Sequence, residues 1–198
     1  MEENNKNILH LVSNIPVSVN HYIKPRGFIM KVGGAPKVQV TMYETSDAKK
    51  YKKEFMQHVQ KELKNQQWNI EENKFIIVEA TFYFDRTHKD TNNHWKIMLD
   101  ALTECGIWKD DSLVMERVNR IYYDSKNPRI ELKIYHSDHI GIFNNDIEYK
   151  TFIHNCESCT RYNRNCSLLK SALESRIQEE INLIDNKFVC NKFKEIKK

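Results

Sequence analysis

The chain has no apolar run approaching the roughly 18 residues that a membrane-spanning helix needs, which excludes a helical membrane protein. Its start, Met1-Glu2-Glu3-Asn4-Asn5-Lys6-Asn7, lacks the apolar segment of a secretory signal, so a soluble, cytoplasmic protein is expected, with no membrane partner. Internal repeats and low-complexity segments are missing too, which excludes a repeat architecture. Most of the chain carries no excess of one charge. Residues 1–149 hold 21 Lys and Arg against 21 Asp and Glu, and residues 150–198 hold 10 against 6, so the whole formal excess of +4 lies in the tail. A positive tail on a balanced body suits an acidic partner such as nucleic acid; a merely solvated basic end is the plainer alternative. Cysteine is nearly absent from the body: only Cys105 lies outside the set Cys156, Cys159, Cys166 and Cys190.

At 198 residues, 40% hydrophobic and 29% charged, the chain can form one ordinary domain with a small appendage. Ile8 to Val12 reads as a strand, and Pro16 to Tyr22 as a turn-rich loop. Phe28 to Val32 and Lys37 to Met42 are short β-prone runs joined by Gly33-Gly34-Ala35-Pro36, a hairpin signal. Ser46 or Asp47 can cap a helix reaching about Asn65, with Tyr51, Phe55, Val59 and Leu63 as its core stripe. Phe75 to Phe84 reads as a central strand. Asn93 to Cys105 reads as a helix burying Trp95, Met98, Leu99 and Leu102 and stopped by Gly106. Leu113 to Tyr123 and Ile130 to Tyr135 read as strands. The order implies an α+β (mixed α/β) domain over residues 1–136, a linker over 137–150, and a cysteine-rich helical unit over 151–198.

The densest chemistry lies in Asp90-Thr91-Asn92-Asn93-His94-Trp95-Lys96, followed by Asp100-Ala101-Leu102 and by Gly106-Ile107-Trp108-Lys109-Asp110-Asp111. On a helix, Asn92, Lys96 and Asp100 recur every four residues and share a face, with Asn93 beside Lys96. Trp95, Met98 and Leu102 anchor the opposite face, so the polar face is held by a buried one. Asp110-Asp111 follows the glycine stop and can fold back toward Asp90. Mg²⁺ takes carboxylate oxygens and keeps several waters. Asp90 and Asp111 are therefore the expected Mg²⁺ (or Mn²⁺) ligands, and Lys96 offsets charge growing on a phosphate. The plain alternative is an amphipathic helix with a solvated face.

These residues carry a resemblance. Asp90-x-Asn92-Asn93-x-x-Lys96-x-x-x-Asp100-Ala101-Leu102, then Gly106-Ile107-Trp108-Lys109-Asp110-Asp111-Ser112-x-Val114, resembles the RusA family of Holliday junction resolvases. That family has an aspartate pair followed by Asn, a Lys three further on, a D-A-L turn of helix, and G-[IFV]-W-x-D-D. Pro16-x-Ser18-x-Asn20-x-Tyr22 resembles its N-terminal loop and Pro128-Arg129-Ile130-Glu131-Leu132 its last strand, so the likeness spans roughly residues 8 to 136. It implies a RusA-like sheet with packed helices and a homodimer acting on branched DNA. It also implies Mg²⁺-dependent paired nicking of four-way junctions in recombination and repair. The resemblance transfers catalytic roles to Asp90, Lys96 and Asp111, supporting roles to Asn93, Asp100 and Asp110, and a metal-ligand position, beside Asp90 and Asp111, to Asn92. The departure is Asn92, where the family pattern has a carboxylate. An amide oxygen can still coordinate Mg²⁺ but brings no charge and cannot act as a base. Weaker but sufficient metal binding, compensation by Asp110, Asp85 or His88, and junction binding without cleavage are all open.

Lys24, Arg26 and Lys31 around Gly27-Phe28 are candidates for a DNA-reaching arm, with Arg86, His88 and Lys89 beside Asp90 as further contacts. Phe28 can wedge between bases, but a strand residue packed in the core is the favoured reading. Lys49-Lys50-x-Lys52-Lys53 reads as the wet side of a helix. In the tail, Cys156-x2-Cys159-x6-Cys166-x23-Cys190 suits a structural Zn²⁺ gripped first by the C-x-x-C pair. A helix from about Ser167 to Asn182 (Leu168, Leu169, Leu173, Ile177, Ile181) is expected to pack over it. An iron–sulfur cluster and reduced, packed thiols are alternatives, and His154 is a spare ligand. The tail would add DNA affinity or recruit a protein partner. Cys105 reads as a buried small residue. Beside the nuclease stand two other readings: a catalytically weakened branched-DNA-binding protein and a zinc adaptor on a scaffold.

Overall fold

In the computed structural model, residues 7–33, 35–71 and 74–196 are described; the polar start Met1–Lys6 and Gly34 of the hairpin turn lie outside them. The chain divides into two compact units, residues 1–70 with 77–135, and residues 71–76 with 136–198.

The first unit is built on a four-stranded sheet in the order β1-β6-β4-β5, where β1 is Ile8–Asn14, β4 Ile76–Phe84, β5 Val114–Tyr123 and β6 Arg129–His136. β1 and β6 pair antiparallel, Leu11 opposite Leu132. Asn119 reaches Thr81 and the Asp124 N–H reaches the Phe84 carbonyl. Both partners advance together, so β4 and β5 run parallel where they meet, which requires the crossover that helix α3 (Asn92–Glu104) supplies. Alternation decides the faces. Every second residue of β4 (Ile76, Val78, Ala80, Phe82, Phe84) and of β6 (Ile130, Leu132, Ile134) is buried, while the residues between, apart from buried Ile77, are half-buried or exposed.

Helices cover the buried face. Thr45 caps α2 (Ser46–Gln66) by accepting the Ala48 N–H at 3.3 Å, in place of Ser46 or Asp47. Tyr51, Phe55 and Val59 of α2 and Trp95, Met98, Leu99 and Leu102 of α3 are buried. Trp95 stands edge-on to Phe82, with ring centroids 5.9 Å apart. A buried aromatic of this kind contributes roughly 2–3 kcal/mol by area alone. Gly106, at φ 75°, stops α3 in the left-handed conformation that glycine adopts without strain. Ile107 and Trp108 are then fully buried, and the Trp108 indole donates to Thr103 at 2.6 Å.

A separate two-stranded ribbon differs from the expected short runs. β2 (Ile23–Val32) and β3 (Ala35–Glu44) are each ten residues long and pair antiparallel from Ile23↔Glu44 to Val32↔Ala35. A four-residue helix, α1 (Val19–Tyr22), leads into it. Phe28 lies mid-strand and is 41% exposed, so the core position favoured from sequence is not observed; the ribbon has no sheet of its own to cover it. Lys52 corrects a second reading. It is buried and ion-paired, whereas Lys49, Lys50 and Lys53 are exposed.

The second unit has a small core of Phe143, Phe152, Ala172 and Ile181. Residues 137–150, read as a linker, supply Phe143 to it, with Ile142 and Tyr149 packed against it; Ile140 is buried as well. Gly141, at φ 55°, sits where any Cβ would strike the Ala172 carbonyl. Helix α4 is Asp146–Glu157, capped by Asn145, and α5 is only Ser167–Leu173. The expected helix to Asn182 is not observed. Ser175 takes a positive φ of 61°, which ends the helix, and the chain from Ile181 forms the hairpin β7 (Ile181–Ile184) and β8 (Lys187–Cys190). Leu168, Leu169 and Leu173 still pack on the core, but Ile177 is 87% exposed and Ile181 enters the core from a strand.

Candidate active site

The loop from β4 to α3 presents Asp90 at the helix start. Its Oδ1 accepts the Asn92 N–H at 2.9 Å and its Oδ2 the Asn93 side-chain amide at 3.2 Å. Asn92 opens the helix and is exposed. His94 faces inward, its Nδ1 2.7 Å from the Pro16 carbonyl and its ring against Phe84 and Phe82. Burial holds its pKa below the usual histidine value, against the opposing Pro16 contact. A rigid inner face thus backs the exposed one.

One turn along α3, Lys96 donates to Asp100 Oδ1 at 2.7 Å. That hydrogen bond raises the lysine pKa, and nearby Asp111 raises it further, so Lys96 is a fixed positive charge at neutral pH. The other oxygen of Asp100 accepts the Tyr22 hydroxyl at 2.8 Å, and the same hydroxyl lies 3.0 Å from Glu44. Lys52 closes the array with ion pairs to Glu44, at 3.3 Å, and to Glu104. Burial, then the two carboxylate hydrogen bonds, push the Tyr22 phenol well above its ordinary range. A line of alternating charge and hydrogen bonding therefore runs from Lys96 through Asp100, Tyr22 and Glu44 to Lys52.

After Gly106 the buried Ile107 and Trp108 pin the returning loop. Asp110 caps a 3-10 turn, Asp111–Leu113, by accepting the Ser112 N–H at 2.8 Å. The Ser112 side chain and then that N–H hold its carboxyl below the usual range. Asp110 is thus a capping residue that sets the position of Asp111. Asp111 acts electrostatically on both Lys96 and Glu116. Burial, and then the Asp111 charge, push the Glu116 carboxyl up.

The structure thus gathers Asp90, Asn92 and Asn93 at the start of α3, and Lys96, Asp100, Asp111 and Glu116 around its next turns. Tyr22, Glu44, Lys52 and Glu116 were not among the site residues read from sequence. Tyr22 sits in the Pro16-x-Ser18-x-Asn20-x-Tyr22 motif, which was signal enough for its position but not for its partner. Glu116 lies on a strand five residues past Asp111, a spacing with no helical meaning. Among the described residues no group of three or more His, Cys, Asp or Glu side chains forms a ready metal-holding arrangement. The donors nevertheless fit a hard divalent cation: they are carboxylate and carboxamide oxygens. Of the suggested substitutes for a charge at position 92, Asp85 is paired with Lys89 at 3.3 Å, which also ties up Lys89. His88 is exposed, with φ 63°.

The ribbon sorts the candidate DNA-contacting residues by face. Lys24, Arg26, Phe28 and Met30 share one face with Lys37, Gln39, Thr41 and Tyr43 opposite them. Lys31 lies on the other face with Ile29, Val38, Val40 and Met42, all exposed apolar residues. Arg86 is exposed. Among the described residues no helix is long and apolar enough to cross a membrane.

A comparison with curated proteins finds none that matches the chain. A family model described as endodeoxyribonuclease RusA matches residues 22–135, more than half of the chain and nearly all of the first unit from Tyr22 onward. The match takes in every acidic and basic residue just described, and on that ground the chain belongs to the RusA family of endodeoxyribonucleases.

Proposed function

We propose that the protein is a Mg²⁺-dependent, structure-selective endonuclease that resolves four-way DNA junctions by paired phosphodiester hydrolysis, as a homodimer, in recombination and repair. The observation that carries this reading is that Lys96, one turn along α3 from Asp90 and Asn92, is paired with Asp100 and lies within electrostatic reach of Asp111. Acidic oxygen donors then flank one fixed positive charge on a rigid helix. Asp90, Asn92 and Asp111 are the residues that would hold the metal. A bound Mg²⁺ supplies a polarised phosphate and a water of lowered pKa. Lys96, held charged by Asp100, stabilises negative charge building on the phosphate oxygens. Asp100 is itself held by Tyr22, so the lysine is oriented before substrate arrives. Lys24 and Arg26 on one face of the ribbon would track phosphates, with Arg86 and Lys89 as further contacts; Lys31, on the other face, would not share that track. The apolar opposite face, with Ile29, Val38, Val40 and Met42, would meet the second copy.

A second reading is favoured by one residue. Asn92 brings no charge, and a site short of one carboxylate can bind branched DNA while cutting it slowly. A labelled four-way junction incubated with protein and Mg²⁺ or Mn²⁺ separates the two. Symmetric nicks are expected. Absence of nicking in either metal, with a retained gel shift, would replace the nuclease by the binding protein.

A further inference from the structure

The four cysteines of the second unit are far apart in sequence but line one cavity. Cys156 ends α4, Cys159 follows in its exit turn, Cys166 precedes α5, and Cys190 closes the β7–β8 hairpin. The backbone explains the convergence. The Thr160 N–H donates to the Lys194 carbonyl at 2.8 Å and the Ile196 N–H to the Ser158 carbonyl at 2.9 Å. These bonds lay the segment after Cys190 along the C-x-x-C turn. The Cys159 N–H donates to the Cys156 carbonyl at 2.8 Å and the Tyr162 N–H to the Cys159 carbonyl at 3.1 Å, which closes the C-x-x-C turn. The remaining lining is apolar (Phe152, Leu168, Ile181) apart from the cations Arg161 and Lys192.

We propose that Cys156, Cys159, Cys166 and Cys190 bind one structural Zn²⁺. Four thiolates around one Zn²⁺ carry a net charge of about −2, which Arg161 and Lys192 match. Tetrahedral ligation by four thiolates leaves no open position, so the ion is structural. Its role follows from the size of the unit: the buried core is four residues, and a metal joining α4, α5 and the hairpin supplies folding energy that so small a core lacks. Among the described residues the thiols do not yet form a closed metal-holding group, so the proposed ion would draw them together. His154 is not a ligand. Its side chain is exposed and faces Glu157.

The inference is independent of the nuclease reading and is tested on the full chain. Purified protein should contain about one zinc per chain. Replacing zinc by Co²⁺ should give intense thiolate-to-cobalt charge-transfer bands with tetrahedral ligand-field absorption. C166S and C190S should each lose the metal, while C105S, in the other unit, keeps it. If the serine variants do not fold, the cobalt spectrum and zinc content of the unaltered chain still decide. Zinc below about half an equivalent without those bands would overturn the assignment. So would iron in place of zinc, or a mass showing disulfides between these cysteines.

Discussion

Tyr22 donates its hydroxyl to Asp100 across 2.8 Å, and the opposite oxygen of that carboxylate holds Lys96 at 2.7 Å. A residue at the entrance to the ribbon therefore sets, through one carboxylate, the position of the charged lysine on α3. Glu44 competes for the same hydroxyl and is held in turn by Lys52, so the array is cross-braced.

Tyr22→Phe removes the brace and leaves the charges in place. Hydrogen bonds to charged partners are worth about 1.5–3 kcal/mol, so junction cleavage should fall about tenfold or more in kcat with little change in gel-shift affinity. A variant with unchanged kcat would show that Lys96 needs no such support.

Asp90→Asn and Asp111→Asn should each reduce cleavage by more than about 100-fold while junction binding persists. Loss of binding in both would assign these carboxylates to structure. Lys96→Met should lose about 100-fold or more, because it removes the positive charge that lies within electrostatic reach of Asp111.

Asn92→Asp tests how complete the natural site is. A gain in single-turnover cleavage at limiting Mg²⁺ is expected, since a carboxylate adds the missing charge. An unchanged rate would mean that Asn92, with neighbours such as Glu116, already suffices.

Binding should weaken steeply with salt. Lys24→Ala and Arg26→Ala should each lower the slope of log affinity against log salt by about 0.9 if each meets one phosphate. Equal slopes for variant and parent would remove the ribbon from the DNA interface.

Acid should destabilise the first unit through His94. Burial depresses its folded pKa below the unfolded value near 6.5. The unfolded chain therefore binds the extra proton first. Stability is full above about pH 6.5 and falls as pH drops below it, by at most about 1.4 kcal/mol per pH unit for this proton. His136 adds the same sign in the second unit, burial outweighing Glu71. Unfolding midpoints at pH 7.5 and 5.5 should separate for the natural chain and converge for His94→Gln. A midpoint that rises on acidification would refute the assignment.

Much of the first unit was legible because its signals are local. The buried stripe of α3, the Gly106 stop and the Lys96–Asp100 pair follow from a 3.6-residue period and a single glycine. The boundary of α5 was not legible. Leu168 to Ile181 keeps helical spacing, but Ser175 breaks the backbone and Ile181 reaches the same core from a strand. Period alone does not distinguish the two when Leu168, Leu169, Leu173 and Ile181 reach the core either way; Ile177, which is exposed, is where they part.

The sequence by itself determined the family, the polar face of α3 and the grouping of four cysteines in the tail, because each is written in short-range spacing. Tertiary structure alone decided that Tyr22 meets Asp100, 78 residues away, that Lys52 turns inward to Glu44 and Glu104, and that Cys190 comes back to Cys156 and Cys159. These pairings depend on which buried faces pack together, and no spacing along the chain encodes the partner of a side chain that waits for a distant strand or helix to arrive.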